Sequence, residues 1–308
     1  MGWIDATTAA AVALALASTP AVACTAEAVA RLPLTTFRGL PVVGMEINGH
    51  ALPMILDTGA QYTVVTPEAA QEAGLVPDRR YATKMHGITG LAGDTWNYDS
   101  APVALSLGNL DLGTNRLRIA AIIGREGLGQ VAGALGADFL SRHDLELDIP
   151  HSTATIYDIH GCVGDFVPWL VPHDRVESAW SGHDQTQMTI PSSIGAMPVR
   201  TFIDTGAAAS MITRRAATAA GTSDAAMTAS TPVTGIDGLG MPIAARSFAF
   251  QRLQVGNETF AGVSVLVCDC DIPNADMQIG EDFISSRKLW LSYQTGQVFI
   301  VRAGRDAR

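Results

Sequence analysis

Short runs rich in Val, Ile, Leu, Phe and Thr recur along the chain, each broken by Gly or Pro. Runs of this kind bounded by turn residues read as β-strands. The stretches "PVVGMEINGHALPMIL" and "QMTIPSSIGAMPVRTFI" each contain two extended runs joined by a turn with Gly, the pattern of a hairpin. Helical patterning is best in two places, "TPEAAQEAGL" from Thr66 and "TRRAATAAGT" from Thr213. Each begins at a Thr able to N-cap and ends at a Gly able to C-cap. The pattern predicts an all-β protein, barrel or sandwich, with a short helix in each half.

The pattern is also said twice. "MILDTGAQYTVV" from Met54 and "RTFIDTGAAASMIT" from Arg200 both place Asp-Thr-Gly after an apolar run, 147 residues apart. A single Asp-Thr-Gly is ordinary turn chemistry, because Asp bonds nearby backbone and Gly accepts positive φ. The flanks repeat too. Gly87 matches Gly235 and Gly108 matches Gly256 at an offset of 148, while Gly136 matches Gly280 and Phe139 matches Phe283 at 144. Self-similarity at this spacing, drifting by only a few residues, indicates an internal duplication. "IHGCVGDFVPWLVPHDRVESAWSGHDQ" has no counterpart in the first half and reads as the connection, with "FVPWLV" available as an extra strand.

Composition narrows the classes. The chain has 308 residues, 47% hydrophobic and 16% charged, with a formal net charge of −10. That size supports one large or two ordinary domains, and the negative balance argues against nucleic acid or an anionic membrane surface as partner. Residues Ala9 to Ala23 form an apolar run ending in "AVAC", which fits a secretory signal with an Ala21-x-Ala23 cleavage site, although "MGWIDATT" lacks a basic start. An N-terminal helix of the folded domain is the competing reading. Cys24 also resembles a lipoprotein acceptor site, so membrane association is expected only if Cys24 is lipidated or the N-terminal segment is retained. Residues 25–40 read as either a pro-segment or the approach to the first strand.

The four cysteines, Cys24, Cys162, Cys268 and Cys270, read as buried thiols or one long-range disulfide. Cys268-Asp269-Cys270-Asp271 lacks a second ligand pair at zinc spacing, and the seven His are scattered, so neither a metal nor any other cofactor is expected. The expected divisions are 1–23 signal peptide, 24–158 first lobe, 159–186 connection, 187–302 second lobe and 303–308 tail.

Two duplicated β lobes, each presenting an Asp on a Gly turn, would bring Asp57 and Asp204 together across a pseudo-twofold axis. Two carboxylates a few ångströms apart do not both ionise, so one proton is shared. A water between them meets one base and one acid, the requirement for hydrating an amide. Thr58 and Thr205 are placed to reach the backbone of the opposite turn. Gly59 and Gly206 allow close approach and offer N–H groups to the carboxylates.

"ILDTGAQYTVV" and "FIDTGAAASMI", each followed by a Gly-rich segment and then by Leu135-Gly136 or Ile279-Gly280, resemble the aspartic proteases. The flavour is retropepsin-like, with two lobes fused in one chain as in the pepsins, over roughly residues 35–158 and 187–302. The resemblance implies two homologous closed β-barrel lobes of the acid-protease fold, Asp57 and Asp204 as the catalytic pair, and a protein or peptide substrate bound extended in the cleft between them. It further implies that "HGITGLAG" and "TGIDGLGM" are flaps, with His86, Gly87, Ile88, Gly235, Ile236 and Gly238 against substrate. A monomer forming an intramolecular pseudo-dimer, exported to a bacterial periplasm, completes the expectation.

Two departures stand out. The first Gly-rich segment has no Tyr of the pepsin-flap kind. Ala60 and Ala207 follow the motif glycines where many pepsins carry Ser or Thr, so the ionised carboxylate loses a donor and the working pH is expected to be mildly acidic to near neutral. The rival to an endopeptidase is a non-catalytic peptide-binding module on the same scaffold. A structural β protein would leave two intact carboxylates unexplained.

Overall fold

The structure, a computed structural model, describes residues 24–78, 88–89, 94–95, 97–121, 131–162, 165–181, 187–236, 242–272 and 274–302. Both predicted hairpins are present. Leu40–Ile47 pairs antiparallel with His50–Leu56, and Gln187–Ile194 with Met197–Ile203. Their turns use Asn48 and Gly49 at φ 53° and 83°, and Gly195 at φ 59°, the left-handed region that Gly and Asn tolerate.

Each hairpin opens a circuit of strands, closed by pairing in the second half and left open between Asn97–Asp99 and Val103–Leu107 in the first. In the second half, Met197–Ile203 runs parallel to Met277–Ile279, which is antiparallel to Met211–Thr213. That strand is parallel to Glu258–Cys268, whose partner Pro242–Val255 returns to Gln187–Ile194 and closes the barrel. The first half follows the same route. His50–Leu56 pairs with Gly133–Leu135, then come Val64–Val65 and Arg118–Ala120. Asn97–Asp99 follows, and Val103–Leu107 pairs with Leu40–Ile47. The long strands of the second half are each two shorter ones in the first. Pro102, which has no N–H to donate, stands at one break.

A six-stranded sheet joins the halves. Its order is Thr25–Pro33, Thr153–His160, Asp144–Asp148, Lys288–Ser292, Gln297–Val301, Asp174–Val176. The two central strands are equivalents from the two halves, paired Leu145↔Leu291 and Leu147↔Leu289, so the pseudo-twofold axis passes between them. One contiguous apolar core, including Met45, Met54, Leu145, Ile203, Met277 and Leu291, runs through both halves.

Residues 25–40 are therefore strand and turn of the folded body, not a detached pro-segment. "FVPWLV" does not form a strand. Pro168 and Pro172 remove ladder donors, and Trp169 packs edge-on against Trp290 at 6.3 Å while the sheet edge is taken by Asp174–Val176. The predicted helices are Pro67–Glu72 and Arg214–Ala219, capped by the hydroxyls of Thr66 and Thr213. Three further short helices are Ala137–Leu140, Asp224–Ala229 and Glu281–Ile284.

The expected long-range disulfide is present, and the second pair of cysteines is bonded rather than left as buried thiols. Cys24 bonds to Cys162 and Cys268 to Cys270, so there are two disulfides and no free thiol. Thr25 is the register partner of His160, which brings the two ends next to those residues together. Cys24 in this bond has no thiol to carry a lipid.

Candidate active site

Asp57 and Asp204 each follow the last residue of a central barrel strand. Asp57 N–H donates to Leu135 O at 3.0 Å and Asp204 N–H to Ile279 O at 2.9 Å. Both turns leave the sheet here because the next residues bond across to the other half. Thr58 N–H donates to Thr205 Oγ1 at 3.0 Å, and Thr205 N–H to Thr58 Oγ1 at 3.1 Å. The hydroxyls in turn donate to the carbonyls of Ile203 and Leu56, at 2.8 and 2.6 Å. Both threonines are buried, so these reciprocal bonds lie in a poorly solvated setting where an unmade bond is costly.

The glycines have a steric reason. A Cβ on Gly59 would lie 2.5 Å from Asp204 Cγ and Oδ1, and one on Gly206 would lie 2.5 Å from both Asp57 carboxyl oxygens. Each Gly is the surface on which the opposite carboxyl rests. This brings the two half-buried aspartates into hydrogen-bond contact.

The pair is not electrically symmetric. Asp57 Oδ1 accepts from Gly59 N–H at 3.0 Å and Ala60 N–H at 2.9 Å. Asp204 Oδ1 accepts from Gly206 N–H at 2.9 Å, while Ala207 N–H turns to the Asp204 main-chain carbonyl at 3.3 Å. Burial raises both pKa values, and the two N–H donors partly offset this at Asp57. At Asp204 burial and then the Asp57 charge hold the carboxyl well above the ordinary range. The arrangement thus favours a proton on Asp204 and an anion at Asp57.

Several supporting residues were not singled out in the sequence. Asp138 Oδ1 accepts from both Thr63 N–H and Thr63 Oγ1, and Asp282 Oδ1 accepts from Ser210 N–H and Oγ at equivalent places. They tie each aspartate loop to the helix turn behind it. Their signal was present, since "GADF" and "GEDF" repeat the Asp at the same offset as the neighbouring Gly. Gln187 Nε2 donates to Gly59 O at 3.3 Å from the other half, with no counterpart in the duplication pattern. Burial, then the Asp57 and Asp144 carboxylates, push the Tyr293 phenol far up, so it stays neutral.

The flap residues are only partly placed. Ile88 pairs with Thr95 in a short hairpin, Ile88–Thr89 with Asp94–Thr95. Gly235 and Ile236 end the strand Thr231–Ile236, opposite Ile243 and Pro242. A Cβ on Gly235 would meet open space, so steric room does not require glycine there. His86, Gly87 and Gly238 lie outside the described residues. Among the described residues no cluster of three or more His, Cys, Asp or Glu side chains could hold a metal.

Comparison with known proteins agrees with the duplication. Residues 43–142 match the family "gag-polyprotein putative aspartyl protease", and residues 190–283 match the family "Aspartyl protease". "DNA damage-inducible protein 1" of Cryptococcus neoformans var. neoformans serotype D is 30% identical over 139 residues, covering 44% of this chain and 28% of that protein. "UBA domain-containing protein Mud1" of Schizosaccharomyces pombe is 32% identical over 131 residues, covering 42% and 34% respectively. The chain thus spans about a third or less of the length of these relatives.

Proposed function

We propose that this chain, which belongs to the retropepsin-like aspartyl proteases and carries two of their domains in tandem as the lobes of an acid-protease fold, is a working aspartic endopeptidase with Asp57 and Asp204 as its catalytic pair. One observation carries the reading: both carboxyls are intact, set against each other and unequally hydrogen-bonded, with two backbone N–H donors on Asp57 and one on Asp204, an inequality that favours the proton on Asp204.

The chemistry follows from that inequality. A water between the carboxyls attacks the scissile carbonyl carbon, giving a proton to Asp57, while Asp204 gives its proton to the carbonyl oxygen. The tetrahedral intermediate collapses when Asp57 passes its proton to the amide nitrogen. Asp204 recovers a proton from a hydroxyl of the intermediate, and the C–N bond breaks. The pair again holds one proton. The peptide lies extended between the lobes, under hairpins that include Ile88 and Ile236, a role in line with the hairpin pairing of Ile88. The reading extends to export into an oxidising compartment such as a bacterial periplasm, supported by the two disulfides.

Wild type, Asp57→Asn and Asp204→Asn are to be compared on an unfolded protein substrate from pH 3 to 8. Wild type should cut with a bell-shaped profile, and each variant should lose at least about a hundredfold in rate. With both pKa values raised, the window in which one proton is shared moves up from the ordinary carboxylate value near 4. A maximum below about pH 3 would contradict this electrostatic account. Three inert proteins that still bind peptide would favour the non-catalytic module instead.

A further inference from the structure

The two lobes differ where their barrels flank the aspartate loops. Arg118 pairs in register with Val64 in the first lobe, and Leu266 pairs with Met211 in the second. Val64 stands seven residues after Asp57 and Met211 seven after Asp204, so Arg118 and Leu266 are equivalents. One lobe therefore presents a cation where the other presents an aliphatic side chain.

Arg118 is set in the aspartate loop itself. Its guanidinium carbon lies 3.2 Å from the centroid of the Tyr62 ring, five residues beyond Asp57. On its other side, Arg118 is the register partner of Asp99 in Asn97–Asp99, the strand that follows the Ile88–Thr89/Asp94–Thr95 hairpin. It thus stands between the loop carrying the acid and the strand leading from the hairpin. Arg118, Tyr62 and Asp57 are all half-buried, so this side of the loop meets solvent.

Stacking uses the face of a guanidinium and leaves its edge, with the N–H donors, open for a planar carboxylate. Among the described residues Arg118 makes no ion pair or side-chain hydrogen bond; even Asp99, on the same face, is not bonded to it. A half-buried cation seated over an aromatic ring is a preorganised carboxylate receptor. The Leu266 side clusters with Met211, Ile243, Ala245 and Cys268 and suits an apolar group.

We infer that Arg118, stacked on Tyr62, is a specificity-determining residue that selects an Asp or Glu side chain on one side of the scissile bond, with an apolar residue on the other. The inference rests on the proteolytic reading above. Cleavage-site profiling on a mixed peptide library by mass spectrometry tests it, followed by kcat/KM on a matched pair of peptides, one with Glu and one with Leu at the profiled position. Wild type should show acidic enrichment at one flanking position. Arg118→Leu, which copies the second lobe, should lower the Glu-to-Leu ratio of kcat/KM about tenfold or more, mainly through KM. Arg118→Lys should fall between, since it keeps the charge but loses the planar fork. Cleavage by wild type without acidic enrichment, or an unchanged ratio in Arg118→Leu, overturns the assignment and leaves the protease reading standing. No cleavage by wild type overturns both.

Discussion

Ala137 and Glu281 occupy equivalent positions after Gly136 and Gly280, yet only the second can carry charge. Glu281 is buried, and neither carboxyl oxygen has a hydrogen-bond partner among the described residues. Burial, helped by the charge of Asp282, pushes its pKa up to about 8. A raised carboxyl pKa means the folded state holds the proton more tightly than the unfolded chain does. No penalty exists below the ordinary value near 4.3, and the penalty grows until the pH passes about 8. At pH 7 it reaches about 3.5 kcal/mol. Glu281→Gln removes the titration, so the variant should gain stability over wild type between pH 5 and pH 7.5. Unfolding midpoints in urea at the two pH values measure this. The pH-independent cost of burying an amide cancels in the comparison, and parallel behaviour of the two proteins would refute the argument. The same proximity bears on chemistry, because a neutral Glu281 keeps a third negative charge away from Asp204 over the working range.

At the scale of elements, the second lobe has a clamp that the described residues of the first do not repeat. Arg287 follows Glu281–Ile284 and forms a two-pronged pair with Glu258, Nε to Oε1 at 3.0 Å and Nη2 to Oε2 at 2.9 Å. Its guanidinium also lies 3.7 Å over the Phe283 ring. The equivalent position in the first lobe is His143, which turns instead to Asp158 at 2.6 Å. Since Arg287 is buried, Glu258→Gln strands its charge and should cost about 3 kcal/mol or more in denaturant unfolding. A loss below about 1 kcal/mol would mean the pair behaves as a surface ion pair. How far elements were legible follows from their length and chemistry. The hairpins at Asn48-Gly49 and Gly195 and the helices capped by Thr66 and Thr213 announce themselves through turn and cap residues. Ala137–Leu140 and Glu281–Ile284 are single turns, too short to show a helical period. Asp224–Ala229, capped in the structure by Ser223, buries only Met227, which leaves no apolar stripe. "FVPWLV" carries strand composition, but its prolines prevent pairing. The aspartates, threonines and glycines of the site were legible because the duplication repeats them. Arg118, Gln187 and Glu281 were not, because each breaks the repeat.

At the scale of the molecule, the symmetry axis passes through two layers of interaction that neither half can complete alone. One is the threonine network, in which every bond from Thr58 ends in the second half and every bond from Thr205 in the first. The other is the central sheet, where Asp144–Asp148 and Lys288–Ser292 zip along their length. Residues 24–162 expressed alone, with the Cys24–Cys162 bond kept, would expose the edge of Asp144–Asp148 with Leu145 and Leu147, both now buried. An exposed strand edge seeks a partner. The partner with the right shape is a second copy, because the missing half follows the same strand route and Thr58 can bond to its own equivalent across a twofold axis. The isolated half should therefore be either a concentration-dependent homodimer or unfolded. Sedimentation equilibrium combined with circular dichroism over a range of concentrations distinguishes these states. A folded monomer that persists on dilution would show that the central sheet is dispensable to the lobe, and with it the claim that the two carboxyls are held together by the same elements that hold the lobes.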